Sequence, residues 1–183
     1  MISLEQCAEN LRSPNKDTWS KHASLFTLRT IGGEEASKIL EESYPYFGNS
    51  ELLRHECMYV MGQMREKNSF NFLVQRMNDP EEFSIVRHEA GEALANYHHM
   101  KEESIKEMEK HLDSEISVLK STVIVGIGKL RDFKENNRYG KKYGGTIEPA
   151  EPYNEEEMFQ YLENIEGLEK HKDPVDAAKE ALL

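Results

Sequence analysis

The sequence predicts an all-α fold in which helical hairpins stack into a solenoid of about four repeats. Three observations predict it. Apolar residues recur at helical spacing over 1–131, no sustained apolar/polar alternation marks a strand, and a charged tripeptide returns after a fixed interval. Arg54-His55-Glu56 reappears as Arg87-His88-Glu89, an interval of 88 − 55 = 33 residues.

The elements follow that interval in order. One step back from the first tripeptide lies Lys21-His22-Ala23, and one step beyond the second lies Lys120-Ser121-Thr122. The four segments read KHASLFTLRTI, RHECMYVMGQM, RHEAGEALANY and KSTVIVGIGKL, with the middle two the closest pair. Amphipathic stretches separate them. Ala36, Ile39 and Leu40 share a helical face between Glu34 and Tyr44. Phe70, Leu73, Val74 and Met77 do so between Ser69 and Met77, and Ile105, Met108 and Leu112 between Glu102 and Leu112. Gly32-Gly33 and Asn78-Asp79-Pro80 punctuate the pattern as turns. Each period thus holds two helices, and neither can bury its apolar face without a neighbouring repeat. The period alone leaves several helical-repeat classes open.

The repeat region is expected over 1–131. From there Asn136-Asn137, Gly140, Gly144-Gly145 and the run Glu148-Pro149-Ala150-Glu151-Pro152 break the pattern. Proline removes a backbone donor and restricts its predecessor, so 132–153 is expected to be a linker. A helical tail is expected over 154–183, with Asn154 as the cap of its first helix and Glu157 completing a capping box.

Composition narrows the function classes. The chain has 183 residues, 38% of them apolar and 31% charged, with a net charge of −11. No run approaches the roughly 20 apolar residues of a membrane-spanning helix, and the start Met1-Ile2-Ser3-Leu4-Glu5 has no secretory pattern. The absence of a basic stripe disfavours nucleic acid. An acidic surface instead suits a basic protein partner. Two cysteines, Cys7 and Cys57, form no CxxC pair, so a disulfide framework is not expected and a cytoplasmic location is.

Helical geometry then places the tripeptides. Advancing about 100° per residue, Leu53, Cys57, Val60, Met61 and Met64 form one core stripe, with His55 opposite beside Met58, Tyr59 and Gly62. In the next repeat Val86, Ala90, Ala93, Leu94 and Tyr97 form the stripe, with His88 opposite beside Gly91, Glu92 and Ala95. The two histidines should lie side by side, with small residues leaving room for an ion. Imidazole nitrogen and carboxylate oxygen, presented twice, suit iron. The lack of cysteine ligands disfavours structural zinc. Arg54 and Arg87 are expected to pair with carboxylates of neighbouring helices. His22 is expected to be scaffold and Trp19 to pack between the first helices. Gly126-Ile127-Gly128 lacks the third glycine of a dinucleotide loop.

These residues resemble a family. Leu25-Phe26-Thr27-Leu28-Arg29, Leu53-Arg54-His55-Glu56, Tyr59, Met61-Gly62-Gln63-Met64 and the run from Val86 to Leu94 are similar in order and spacing to deoxyhypusine hydroxylase. The resemblance implies a HEAT-like superhelix in two similar halves, each supplying two His-Glu motifs to a site of two Fe(II) ions. It implies an O2-dependent monooxygenase acting on the deoxyhypusine side chain of a basic translation factor. By that resemblance His55, Glu56, His88 and Glu89 are metal ligands. Glu89 is alternatively a contact for the substrate amine, and Glu92, Gly62, Gln63 and Gly91 line the substrate site. This chain carries two of the four motifs. The run from Asp173 to Leu183 resembles the opening of a second half. Either the chain is a shortened form, weak or inactive alone, or two copies pair to rebuild four motifs. The competing expectation is a non-catalytic HEAT-repeat module that binds protein on its concave face.

Overall fold

The computed structural model describes residues 3–132, and they fold as helices and turns with no strand among them. The expected linker at 132–153 lies, but for its first residue, outside the described residues, as does the expected tail at 154–183. Eight α-helices occur among the described residues: α1 Leu4–Arg12, α2 Thr18–Ile31, α3 Gly33–Ser43, α4 Glu51–Met64, α5 Phe70–Asn78, α6 Ser84–Leu94, α7 Lys101–Glu109 and α8 Ser117–Asp132. The first helix of each repeat begins at 18, 51, 84 and 117, so every step is 33 residues. The fold is the all-α, HEAT-like solenoid expected from the sequence. The described residues divide into two compact units, one up to Tyr97 and one from His98.

Local chemistry sets the helix boundaries. Ser3, Asp17 and Ser50 cap α1, α2 and α4, each side-chain oxygen accepting from the N–H three residues on. Gly32 and Gly33 adopt φ of 71° and 84°, a left-handed backbone that only glycine takes without cost, and so turn α2 into α3. Arg65 ends α4 with a φ of 55°. Asp79-Pro80 stops α5.

In the first unit, α2 packs on α1, α3 and α4, while α4 packs on α2, α3 and α6. Helix α5 packs on α6. The stripes expected from periodicity, Leu53 to Met64 and Val86 to Tyr97, are all buried. Burial goes further than a single stripe. Met58, Gly62, Gly91 and Ala95, placed by periodicity on the open face, are buried too. For α4 the reason is visible: the helix is flanked on both sides by neighbouring first helices, which leaves only a narrow arc open. On α4 that arc carries His55, Glu56 and the exposed Tyr59.

Contacts between repeats recur at about the repeat length. Arg29 donates to Gln63 Oε1 at 2.8 Å, Gly33 N–H to Glu66 Oε1 at 3.0 Å, and the hydroxyls of Ser37 and Ser69 hydrogen-bond to each other. A buried carboxylate, Glu82, ties two successive repeats together. It accepts from Tyr44 Oη at 2.7 Å and from Arg54 Nη1 at 2.8 Å, with Arg76 at 3.5 Å. Arg54 therefore has the carboxylate partner expected of it. Arg87 does not: its Nε donates to the Met77 carbonyl at 3.0 Å, holding the end of α5 against α6. Trp19 also departs from expectation. It is 78% exposed and stacks on His22, with ring centroids 6.2 Å apart, because it sits on the open arc of α2 rather than between helices.

The second unit contains α7 and α8, which pack together, and Ile105, Met108, Leu119, Val123 and Ile127 on these helices are buried. Arg131 reaches Glu109 at 2.8 Å across this hairpin. Gly126 and Gly128 lie within α8, so no phosphate loop forms there.

A Cβ built on Gly62 would lie 2.7 Å from both Cα and Cβ of Ala93. Neither is the mobile end of a side chain, so α4 and α6 would have to move apart. Gly62→Ala should lower stability by about 1–3 kcal/mol. Thermal unfolding followed by circular dichroism should show a Tm lowered by several degrees.

Candidate metal centre

The interface of α4 with α6 brings the two His-Glu motifs together. His55 Nε2 lies 3.1 Å from Glu89 Oε2, and His55 Nδ1 lies 3.5 Å from Glu56 Oε1. His88 Nε2 lies 3.8 Å from Glu92 Oε1, four residues on along the same helix. One ligand atom from each of His88, Glu89 and Glu92 lies within 4.8 Å of the others, a grouping that could hold a metal ion. The motifs thus interlock: the imidazole of one repeat meets the carboxylate of the next.

The same contact occurs one repeat earlier. His22 Nε2 is 3.7 Å from Glu56 Oε2, a separation of 34 residues, as between His55 and Glu89. His22 is also held between Trp19 and Phe26, whose ring centroid is 4.7 Å away. Packing of this kind suits the scaffold role that the sequence assigns to His22. The signal for its place was its register, since 22, 55 and 88 are evenly spaced.

The electrostatics are those of a site short of positive charge. Glu89 is 7% exposed, and burial pushes its carboxyl up from 4.5 to about 7, with Glu92 and Glu56 adding repulsion. Burial lowers the His88 imidazole below its ordinary 6.5, against the opposing pull of Glu92, and His55 lowers it further. A desolvated neutral imidazole beside a carboxyl that holds its proton near neutrality is what a cation would convert into a pair of ligands. It would favour the ionised carboxylate and accept the imidazole lone pair. The donor set of nitrogen and carboxylate oxygen therefore fits a divalent metal of the iron type.

The other expected site residues divide. Glu92 joins the cluster and is 56% exposed, open to solvent at its edge. Gln63 is part-buried, its Oε1 accepting from Arg29. Gly62 faces Ala93 inside the α4–α6 interface, and Gly91 is buried. The room provided by Gly62 is room for a neighbouring helix.

Comparison with known proteins points to one kind of relative. The chain is 39% identical over 84 residues to the deoxyhypusine hydroxylase of Danio rerio, covering 46% of this chain and 27% of that protein. It is 30% identical over 142 residues to deoxyhypusine hydroxylase-B of Oryza sativa, covering 78% and 44%. By sequence, these relatives of the chain are deoxyhypusine hydroxylases. The deoxyhypusine hydroxylase of Bos taurus is 25% identical over 164 residues, 88% of this chain and 53% of the relative. The chain thus spans about half or less of the length of these curated hydroxylases. No family profile matches it. A solved structure of human deoxyhypusine hydroxylase in complex with glycerol shares the fold, with a TM-score of 0.68 at 22% identity, over 96% of this chain and 61% of that one.

The shifted carboxyl has a measurable consequence for stability. Between pH 4.5 and about 7 the folded, metal-free chain holds a proton on Glu89 that the unfolded chain releases. Stability therefore falls as pH rises through that window. Glu89→Gln removes the effect. In chelator-containing buffer the variant should be more stable than the parent at pH 8, by on the order of 2 kcal/mol. The gap should close below pH 4.5, and urea unfolding at a series of pH values measures it.

Proposed function

We propose that this chain is the N-terminal half of a deoxyhypusine hydroxylase-type monooxygenase, which uses iron and O2 to hydroxylate the deoxyhypusine side chain of a translation factor. The observation that carries this reading is the contact of His55 with the buried Glu89 across α4 and α6, which joins two His-Glu motifs in one cluster. The relatives of the chain bear the name of that activity.

In this reading His55, Glu56, His88 and Glu89 hold iron, in a complete site of two ions. Bound iron would supply the capacity to bind and reduce O2. The protein's own groups do the remaining work. Burial keeps Glu89 free of competing water, and the α4–α6 interface fixes the two imidazoles relative to each other. Glu92, at the open edge, would receive a cationic amine of the substrate and orient the carbon chain behind it. Glu89 would share that amine or remain a ligand. Glu56 is steadied from two sides by His22 and His55.

Two motifs supply half of the four that the family resemblance implies. Turnover by this chain alone is then weak or nil, and pairing with a second half would complete the site. The two cysteines are free and buried, which suits a reducing, cytoplasmic setting. No helix among the described residues is long and apolar enough to cross a membrane. The second reading, a protein-binding repeat module without chemistry, predicts no metal dependence.

Metal titration separates the two. Anaerobic Fe(II) should raise the Tm of the chain by several degrees, because a ligand that binds only the folded state stabilises it. His55→Ala with His88→Ala should abolish that shift and the iron retained after desalting. An equal shift in parent and variant would remove these residues from the site.

A further inference from the structure

The repeat carries a second pattern beside the histidines. Trp19, Leu52 and Ile85 are spaced by 33 residues, and each lies three residues before His22, His55 and His88 respectively. Residues three apart on a helix share a face. These three are 78%, 52% and 37% exposed, although the same position on a flanked helix could equally carry a charge. In sequence, Val118 continues the register in the second unit and is 38% exposed. Four of the seven large apolar residues exposed among the described residues thus occupy one repeat position.

Trp19, Leu52 and Ile85 sit on α2, α4 and α6, three first helices packed in succession. Each is one turn N-terminal to its histidine, so the apolar row borders the His/Glu cluster along one side. Exposed Phe-, Trp- or Leu-type residues gathered beside a polar pocket mark an interaction surface rather than a random surface composition. Along the cluster itself run Glu56, Glu89 and Glu92. A partner that covers both features must be apolar where it meets the row and cationic where it meets the cluster.

We propose that Trp19, Leu52 and Ile85 form a docking ledge for the polypeptide that bears the amine side chain, seating apolar residues of that polypeptide beside the entry of its cationic side chain at Glu92. The ledge rests on the proposed function in taking the His/Glu cluster as the reacting site. Charge complementarity selects this occupant. A second copy would bring another chain of net charge −11, with the same carboxylates, against them. Residues 133–183 carry more acidic than basic side chains and would meet the same repulsion. A row of apolar residues at the rim also explains how a shallow acidic site could prefer an amine on a protein to a free polyamine.

Calorimetric titration of the full chain tests this with two probes: N-butyl-1,4-diaminobutane, and a short peptide carrying the same diaminobutane group on a lysine flanked by leucines. The parent should bind the peptide at least about tenfold more tightly than the free amine. Trp19→Ser/Leu52→Ser/Ile85→Ser should bring that ratio close to unity, and Trp19→Ser alone should lower it severalfold should the triple variant fail to fold. Tyr46→Ser, which removes an exposed aromatic off the row, should keep the parent ratio. Glu92→Gln should weaken both probes. A parent that binds the amine but gains nothing from the peptide overturns the ledge and leaves the acidic site standing. A parent that binds neither probe overturns both. Light scattering covers the remaining occupant: a parent dimer that the row variants dissociate, with the peptide-to-amine ratio unchanged, would make the row a self-interface and overturn the ledge.

Discussion

The close approach of α4 and α6 at Gly62 and Ala93 governs the candidate centre. With no side chain at Gly62, the two backbones come near enough for a Cβ there to collide with Ala93. That spacing lets a short histidine on α4 reach a glutamate on α6, putting His55 3.1 Å from Glu89. A wider interface would leave two separate His-Glu dipeptides on a helical surface, each with little affinity for an ion. Stacking repeats at a fixed offset is therefore the source of the chemistry as well as of the core. The offset reappears as His22 with Glu56, so three imidazoles and their partner carboxylates follow one another across three helices.

Stability and the site work against each other at Glu89. A carboxyl buried beside two other carboxylates is costly when ionised, and without a cation it keeps its proton up to about pH 7. Elsewhere the same fold buries a carboxylate with full compensation. Glu82, of which 1% of the side chain is exposed, is met by two arginines and by the Tyr44 hydroxyl. The contrast separates a structural acid, whose counter-charges are built in, from one that meets no arginine or lysine among the described residues. Among the described residues, Glu89 has two imidazoles and two more acids near it, and no ion pair with an arginine or lysine.

Much of this was legible in the sequence because a repeat protein writes its contacts as an interval. The period of 33 residues located the four first helices, and helical periodicity named core residues such as Cys57, Met61, Ala90 and Leu94 that the structure buries. The two tripeptides marked the site because imidazole and carboxylate recurred in register. The same register contained His22, but the residue after it is Ala23 rather than an acid, and its carboxylate partner comes from the next repeat. Such a partner is invisible to a motif read within one helix.

What the sequence alone determined was periodic: the places of the four first helices, the inward stripes of α4 and α6, and the equivalence of His55 with His88. Distances across the interfaces required the tertiary structure. A helical wheel describes one helix in solvent, so it placed Met58, Gly62 and Gly91 on an open face, whereas packing from the sides buries them. Sequence alone also assigns Arg87 a carboxylate, where the fold offers the Met77 carbonyl, and places Trp19 between the first helices, whereas the fold leaves it on the surface. Periodicity fixes the direction of a side chain from its own axis; what stands in that direction depends on how closely the next helix approaches, and at this site a glycine facing an alanine decides it.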